Sequence, residues 1–190
     1  MKIILIRHAK VLLDNKEKIT ASQMKAWVDE YNHAHIGKTK PNQEVIALVK
    51  NADAVLASSL SRTSDSLDLI AVVPSEKNSL FNEIDLPSTN GTFLKLHAKT
   101  WLRLLRLMML LRIGKKSQVL VDAKERAKCG AKYLVGVAKE NNTVVLMGHG
   151  GMNWLLGKAL LKSGWECVEQ GGGSKNWGYK VYDSHRLEIA

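Results

Sequence analysis

Cysteine is scarce in this chain: 190 residues contain two, Cys129 and Cys167. Their separation matches no metal-ligand spacing, and a reduced, cytoplasmic setting is the expectation. Cys129 is expected to pack within a helix. Long apolar runs are missing as well. The hydrophobic start, Ile3 to Ile6, is brief and runs directly into Arg7-His8, unlike a secretory leader. No stretch approaches the length of a membrane span, so a transmembrane segment is not expected. Internal repeats, low-complexity tracts and domain-sized shifts of composition are absent. With this length, the chain reads as one well-buried domain over residues 1–190, too short for two ordinary ones.

Acidic residues are also in deficit, with 18 Asp and Glu against 28 Lys and Arg, a formal net charge of +10. A cationic surface concentrates anionic ligands and speeds their capture. Nucleic acid and anionic membranes attract the same charge, so the balance supports phosphate chemistry without proving it. The most basic leucine-rich stretch, Trp101 to Lys116, has Trp101 as its single aromatic residue. That is thin for stacking on single-stranded bases, and nucleic acid is not the expected partner.

Three short apolar segments read as buried strands, and each ends on charged or polar residues. The first runs from Lys2 to Ile6 and delivers Arg7 and His8. The second, Ala52 to Ser58, leads through Ser59-Leu60-Ser61 to Arg62-Thr63. The third, Thr143 to Met147, ends in Gly148-His149-Gly150-Gly151. Between them lie helical patterns: Thr20 to Tyr31 with Thr20 as N-cap, a short helix opened by Pro41, one from Arg62 to about Ala71, Val119 to Asn141, and Met152 to Ser163. Val72 to Leu86 reads as a short strand and an exposed loop. Gly171 to Ser174 reads as a flexible turn before a closing strand, Tyr179 to Tyr182. Strands alternating with helices predict an α/β fold, a mostly parallel sheet with helices on both faces.

In an open α/β sheet ligands bind beyond the carboxyl ends of the strands, so the three endings are expected to converge. Two arginines and two histidines in one crevice suit a dianionic phosphate with a nucleophile at hand. A phosphomonoester resists attack because its oxygens repel the nucleophile, so charge neutralisation, in-line placement and protonation of the leaving group are required. His8 is the candidate nucleophile, its other ring nitrogen donating to a backbone carbonyl. Arg7 and Arg62 are the candidate phosphate clamp, because a guanidinium donates two parallel hydrogen bonds. His149 is a second imidazole donor to the same oxygens, serving both binding and catalysis. Gly148 and Gly150 are expected to let backbone approach the phosphate. Ser59 or Ser61 touches phosphate or caps a helix. No metal site is read: His33-Ala34-His35 lacks a third ligand.

The ordered set resembles the histidine phosphatase superfamily, also called phosphoglycerate mutase-like. Its opening strand and Arg-His-Gly stand as Ile6-Arg7-His8-Ala9, its second signature as Ser59-Leu60-Ser61-Arg62-Thr63-Ser64-Asp65-Ser66, and its third as Met147-Gly148-His149-Gly150. The resemblance runs from residue 3 to about residue 183. It implies a phosphoglycerate mutase-like fold and metal-independent hydrolysis of a small phosphorylated substrate through phospho-His8, without a cofactor. Glu83, in Asn82-Glu83-Ile84-Asp85, fits the family's general acid, with Asp85 as the alternative. Asn15 falls where the family often places a substrate contact. Specificity is expected from Asp14–Lys40 and Pro87–Lys116. A phosphoglycerate-type mutase, a phosphohistidine protein phosphatase and a non-catalytic binder of phospho-ligands or anionic partners are the alternatives. Oligomeric state is not legible.

Overall fold

The structure, a computed structural model, describes residues 1–13, 16–87, 93–111 and 116–184. Alternation along the first strand organises it. In β1 (Lys2–Arg7) Ile3 and Leu5 point to one side, and Ile4 and Ile6 to the other. Side chains alternate across a strand, so a run that is apolar at every position is stable only where both faces are covered. The same holds for β3 (Ala54–Ser58) and β6 (Thr143–Gly148), whose interior residues are buried throughout.

On one face α5 (Lys116–Asn141) and α6 (Gly150–Lys162) cover Ile3, Leu5, Leu56 and Leu146. α5 presents Ala123, Ala127, Ala131 and Ala138 there, a small-residue stripe at helical spacing that lets the helix lie close. On the opposite face α2 (Gln43–Lys50) and α3 (Ser61–Asp68) cover Ile4, Ile6, Val55 and Val145. β4 (Glu76–Asn78), β7 (Glu166–Gly171) and β8 (Tyr179–Asp183) complete a six-stranded sheet of order β4-β3-β6-β1-β8-β7. Pairings among the first four are parallel; β8 runs antiparallel to both β1 and β7. This is the mostly parallel α/β sheet with helices on both faces that the alternation predicts.

A smaller cluster sits apart. β2 (Lys18–Thr20) pairs with β5 (Lys95–His97), and α1 (Met24–His33) with the turn before it packs on α4 (Ala98–Leu110) through Ala21, Met24, Ala98, Trp101 and Leu105. The Trp101 indole N–H donates to the Ile19 carbonyl at 2.8 Å, tying the helix to the small sheet.

Several boundaries differ from expectation for local reasons. Thr20 caps a 3-10 turn, Ala21–Gln23, which then feeds α1. Asn42, not Pro41, opens α2, its Oδ1 accepting from the Val45 N–H at 3.1 Å. α3 stops at Asp68, and Ala71 adopts a φ of 55° just beyond it. Cys129 lies on α5 but faces solvent, because the alanine stripe occupies the buried side.

Leu134 is fully buried on α5, whereas Leu161 on α6 is half exposed. Leu134→Ala is expected to cost about 3 kcal/mol in urea unfolding, and Leu161→Ala less than about 0.5 kcal/mol.

Candidate active site

Arg7 ends β1 opposite Gly148, and the His8 N–H donates to the Gly148 carbonyl at 3.0 Å. Parallel pairing therefore brings the first and third sequence signatures side by side. Gly148 has a packing reason: a Cβ there would lie 2.3 Å from Asn153 Oδ1. Asn153 on α6 donates to the Ile6 carbonyl at 3.0 Å, so the missing side chain lets helix and strand tip lock together. Gly148 thus makes room for protein rather than for phosphate.

His8 is 2% exposed. Its Nδ1 lies 2.6 Å from the Ala9 carbonyl, which can only accept, so Nδ1 carries the proton and Nε2 keeps its lone pair. Burial above all, with the nearby Arg62 and Arg7 guanidinium groups, lowers its pKa to about 3, against a smaller upward pull from the Ala9 carbonyl. The Ala9 N–H donates in turn to Ser66 Oγ at 2.8 Å, so the second signature's last serine steadies the backbone after His8.

Arg62 enters from the first turn of α3 and is 2% exposed. Its Nε donates to His149 Nδ1 at 3.3 Å and its Nη1 to Asn32 Oδ1 at 2.7 Å, while the Tyr31 ring lies 5.3 Å from Cζ. Burial lowers the guanidinium pKa. His149 is the N-cap residue of α6 and fully buried. Because Nδ1 accepts from Arg62, Nε2 donates, to Ser58 Oγ at 2.6 Å. Burial first, then Arg62, His8 and Arg7, push its pKa far below the usual imidazole value. Two neutral imidazoles, with ring centroids 5.2 Å apart, thus stand beside the buried Arg62 guanidinium.

Arg7 is held from the far edge of the sheet. Its Nη1 donates to the Ser174 carbonyl, and Trp177 and Gly178 pair with its backbone at 2.9 and 3.0 Å. Asn176 Nδ2 donates to the His8 carbonyl at 2.8 Å. The turn between β7 and β8 is therefore a strap across the β1 tip. Arg7 Nε is buried and, among the described residues, has no partner.

Glu83 reaches the N-terminus of α6. Its carboxylate accepts from the Met152 and Ile84 N–H groups at 3.0 Å each and from Gly151 at 3.3 Å, with Arg106 at 3.7 Å. Negative charge is favoured at a helix start. A Cβ at Gly151 would lie 2.6 Å from Glu83 Oε1, so glycine is what admits the carboxylate. Asp85 is exposed, lines the same cleft and, among the described residues, has no comparable anchorage.

The cleft encloses about 930 Å³ and is lined by Arg7, His8, Arg62, Glu83 and Asn176, together with Lys10, Lys99, Arg103, Arg106 and Arg126. An apolar chamber of about 570 Å³ adjoins it across Glu83 and Arg106. His149 lies behind the lining. Ser59 is turned away, its N–H and hydroxyl both donating to Asn82 Oδ1, where it braces the Glu83 loop. Asn15 lies outside the described residues. Among those residues no group of three or more His, Cys, Asp or Glu is placed to hold a metal. Ser58, Tyr31 and Asn32 were not anticipated. Ser58 adjoins the serine chosen at the strand end, whereas Tyr31 and Asn32 meet Arg62 only through tertiary packing.

No protein-family model matches the chain, and no curated protein does. Solved structures do. Phosphoserine phosphatase from Entamoeba histolytica, in complex with 3-phosphoglyceric acid, is similar over 95% of this chain and 89% of its own, at 19% identity and a TM-score of 0.54. An open reading frame product of Mycobacterium tuberculosis covers 82% of this chain and 77% of its own, at 18% identity and a TM-score of 0.48. The chain therefore shares the fold of that phosphatase, a mostly parallel six-stranded α/β sheet with helices on both faces.

A depressed His8 pKa makes stability pH-dependent. The unfolded chain binds a proton near pH 6.5 that the folded His8 refuses until about pH 3. Its neutral form therefore stabilises the fold fully above pH 6.5, and that contribution is lost as pH falls toward 3. Urea unfolding at pH 7 and pH 5 is expected to show about 2 kcal/mol less acid loss in His8→Gln than in the wild type.

Proposed function

We propose that the protein is a metal-independent phosphomonoester phosphatase that works through a phosphohistidine intermediate on His8. The observation that carries this reading is a neutral His8, anchored through Nδ1 and, among the described residues, without a partner at Nε2, in a cleft that Arg62 also lines with Arg7, whose buried Nε likewise has none among those residues. A ligand oxyanion satisfies the buried guanidinium donor, which otherwise costs free energy.

Nε2 attacks phosphorus, the bond to the ester oxygen breaks, and the leaving alkoxide takes a proton from the Glu83 carboxyl group. Water then attacks the phosphorus of phospho-His8 and gives its proton to Glu83, and the P–N bond breaks to release phosphate and neutral His8. Arg7 and Arg62 neutralise the transferring oxygens throughout. His149 Nδ1 holds the Arg62 guanidinium through its Nε–H. Direct donation from its ring to a phosphoryl oxygen, the role the resemblance implies, requires exchange of the Ser58 or Arg62 contact.

The leaving group meets further cations at Lys10, Lys99 and Arg103 and the Trp27 indole N–H, a buried donor without a partner among the described residues. These favour a small ester with a second anionic group. The phosphoserine phosphatase of similar fold was solved with such a ligand, 3-phosphoglyceric acid. The two free, exposed cysteines suit a reducing cytoplasm.

Phosphate release should be measured over alkyl phosphates, phosphoserine and 3-phosphoglycerate, with the His8→Ala protein as blank. Turnover is expected to fall roughly a thousandfold or more in that variant. Arg62→Lys, which keeps the charge and loses the fork, is expected to lower kcat/KM by roughly ten- to a hundredfold. No turnover on any ester overturns the phosphatase reading. Phosphate transfer between positions of 3-phosphoglycerate would identify a mutase, and phosphate binding that survives His8→Ala without turnover would identify a binding module.

A further inference from the structure

From Leu86 to Val121 the chain has no Asp or Glu, yet it has seven lysines and arginines there. The described core of this stretch is α4, which has three faces. Ala98, Trp101 and Leu105 are buried against α1. Lys99, Arg103 and Arg106, spaced by four and three residues, line the cleft. The third face is Leu104, Leu107 and Leu111, again three and four apart, exposed by 36%, 51% and 62%. Just before β5, Phe93 is completely exposed and Leu94 more than half so.

A helix on the surface of a globular protein normally turns polar residues outward. Here the outward stripe is leucine, and its neighbour around the helix is a stripe of cations. Leucine beside lysine and arginine forms the pattern that binds in the plane of a lipid–water interface. A second copy of the chain fits poorly, because pairing these faces would set acid-free cationic stripes against each other. An anionic bilayer complements both features, its headgroups meeting the cations and its acyl boundary the leucines.

We propose that the outer face of α4, Leu104, Leu107 and Leu111, docks the protein on membranes rich in anionic phospholipid. The cationic stripe belongs to both surfaces, so docking sets the mouth of the cleft at the level of the headgroups. The proposal does not depend on the reaction carried out in the cleft.

Co-sedimentation with vesicles of phosphatidylcholine, with and without phosphatidylglycerol, tests it. The wild type is expected to pellet with the anionic vesicles and to stay in solution with the neutral ones. The double variant Leu107→Ser/Leu111→Ser changes exposed positions only, and its thermal unfolding should match the wild type. Its partition to anionic vesicles is expected to drop roughly tenfold or more. Absence of wild-type binding overturns the proposal. So does equal binding by the double variant, which would mean diffuse electrostatic adsorption. Sedimentation velocity without lipid is the third arm: a wild-type dimer that the double variant makes monomeric would assign the leucine face to self-association instead.

Discussion

At the tips of β1 and β6 the His8 N–H meets the Gly148 carbonyl, the last rung of the parallel ladder at the centre of the sheet. The geometry of the cleft follows from that rung. It sets the residues after β1 beside those after β6, and Asn153 then ties α6 back to the Ile6 carbonyl. α6 in turn presents the N–H groups that receive Glu83. A parallel pair needs a long crossover, so residues 8 and 149 can meet only because helices carry the chain between them.

The second organising fact is electrostatic. Arg62 and His149 are both buried, and so is His8. Burying several charges together is costly unless they are paired. The protein avoids most of this cost by keeping the imidazoles neutral, each in a fixed tautomer. The Ala9 carbonyl fixes the His8 tautomer, and Arg62 with Ser58 fixes that of His149. Arg62 remains the buried cation, supported by Asn32 and the Tyr31 ring. The strap from Ser174 to Gly178 does the same for Arg7 from the other side.

The strands that build the site were legible because they are apolar at every position, a pattern only a doubly covered strand sustains. Arg7, His8 and Arg62, which follow those strands, line one cleft, and Glu83, read from the family resemblance and not from a strand ending, lines it with them. β7 was not read, because Glu166 to Gly171 is almost entirely exposed and carries no burial pattern. β2 and β5 are too short, at three residues each, for periodicity to register. Ser58 and Ser59 are adjacent, and strand alternation sends one inward to His149 and the other outward to Asn82. Choosing between them needed the strand's exact end. Tyr31 and Asn32 had no sequence signal, since their partner lies thirty residues away across a tertiary contact.

The small core between α1 and α4 shares none of its buried residues with the two cores that flank the sheet. Stability in proteins is partitioned among such units, and a unit can open or change while the rest stays folded. The consequence is evolutionary. Drift in the α1–α4 unit can remodel the surroundings of the leaving group while the scaffold that holds His8 is untouched, so descendants of one ancestral chain can acquire new specificities without first losing their fold.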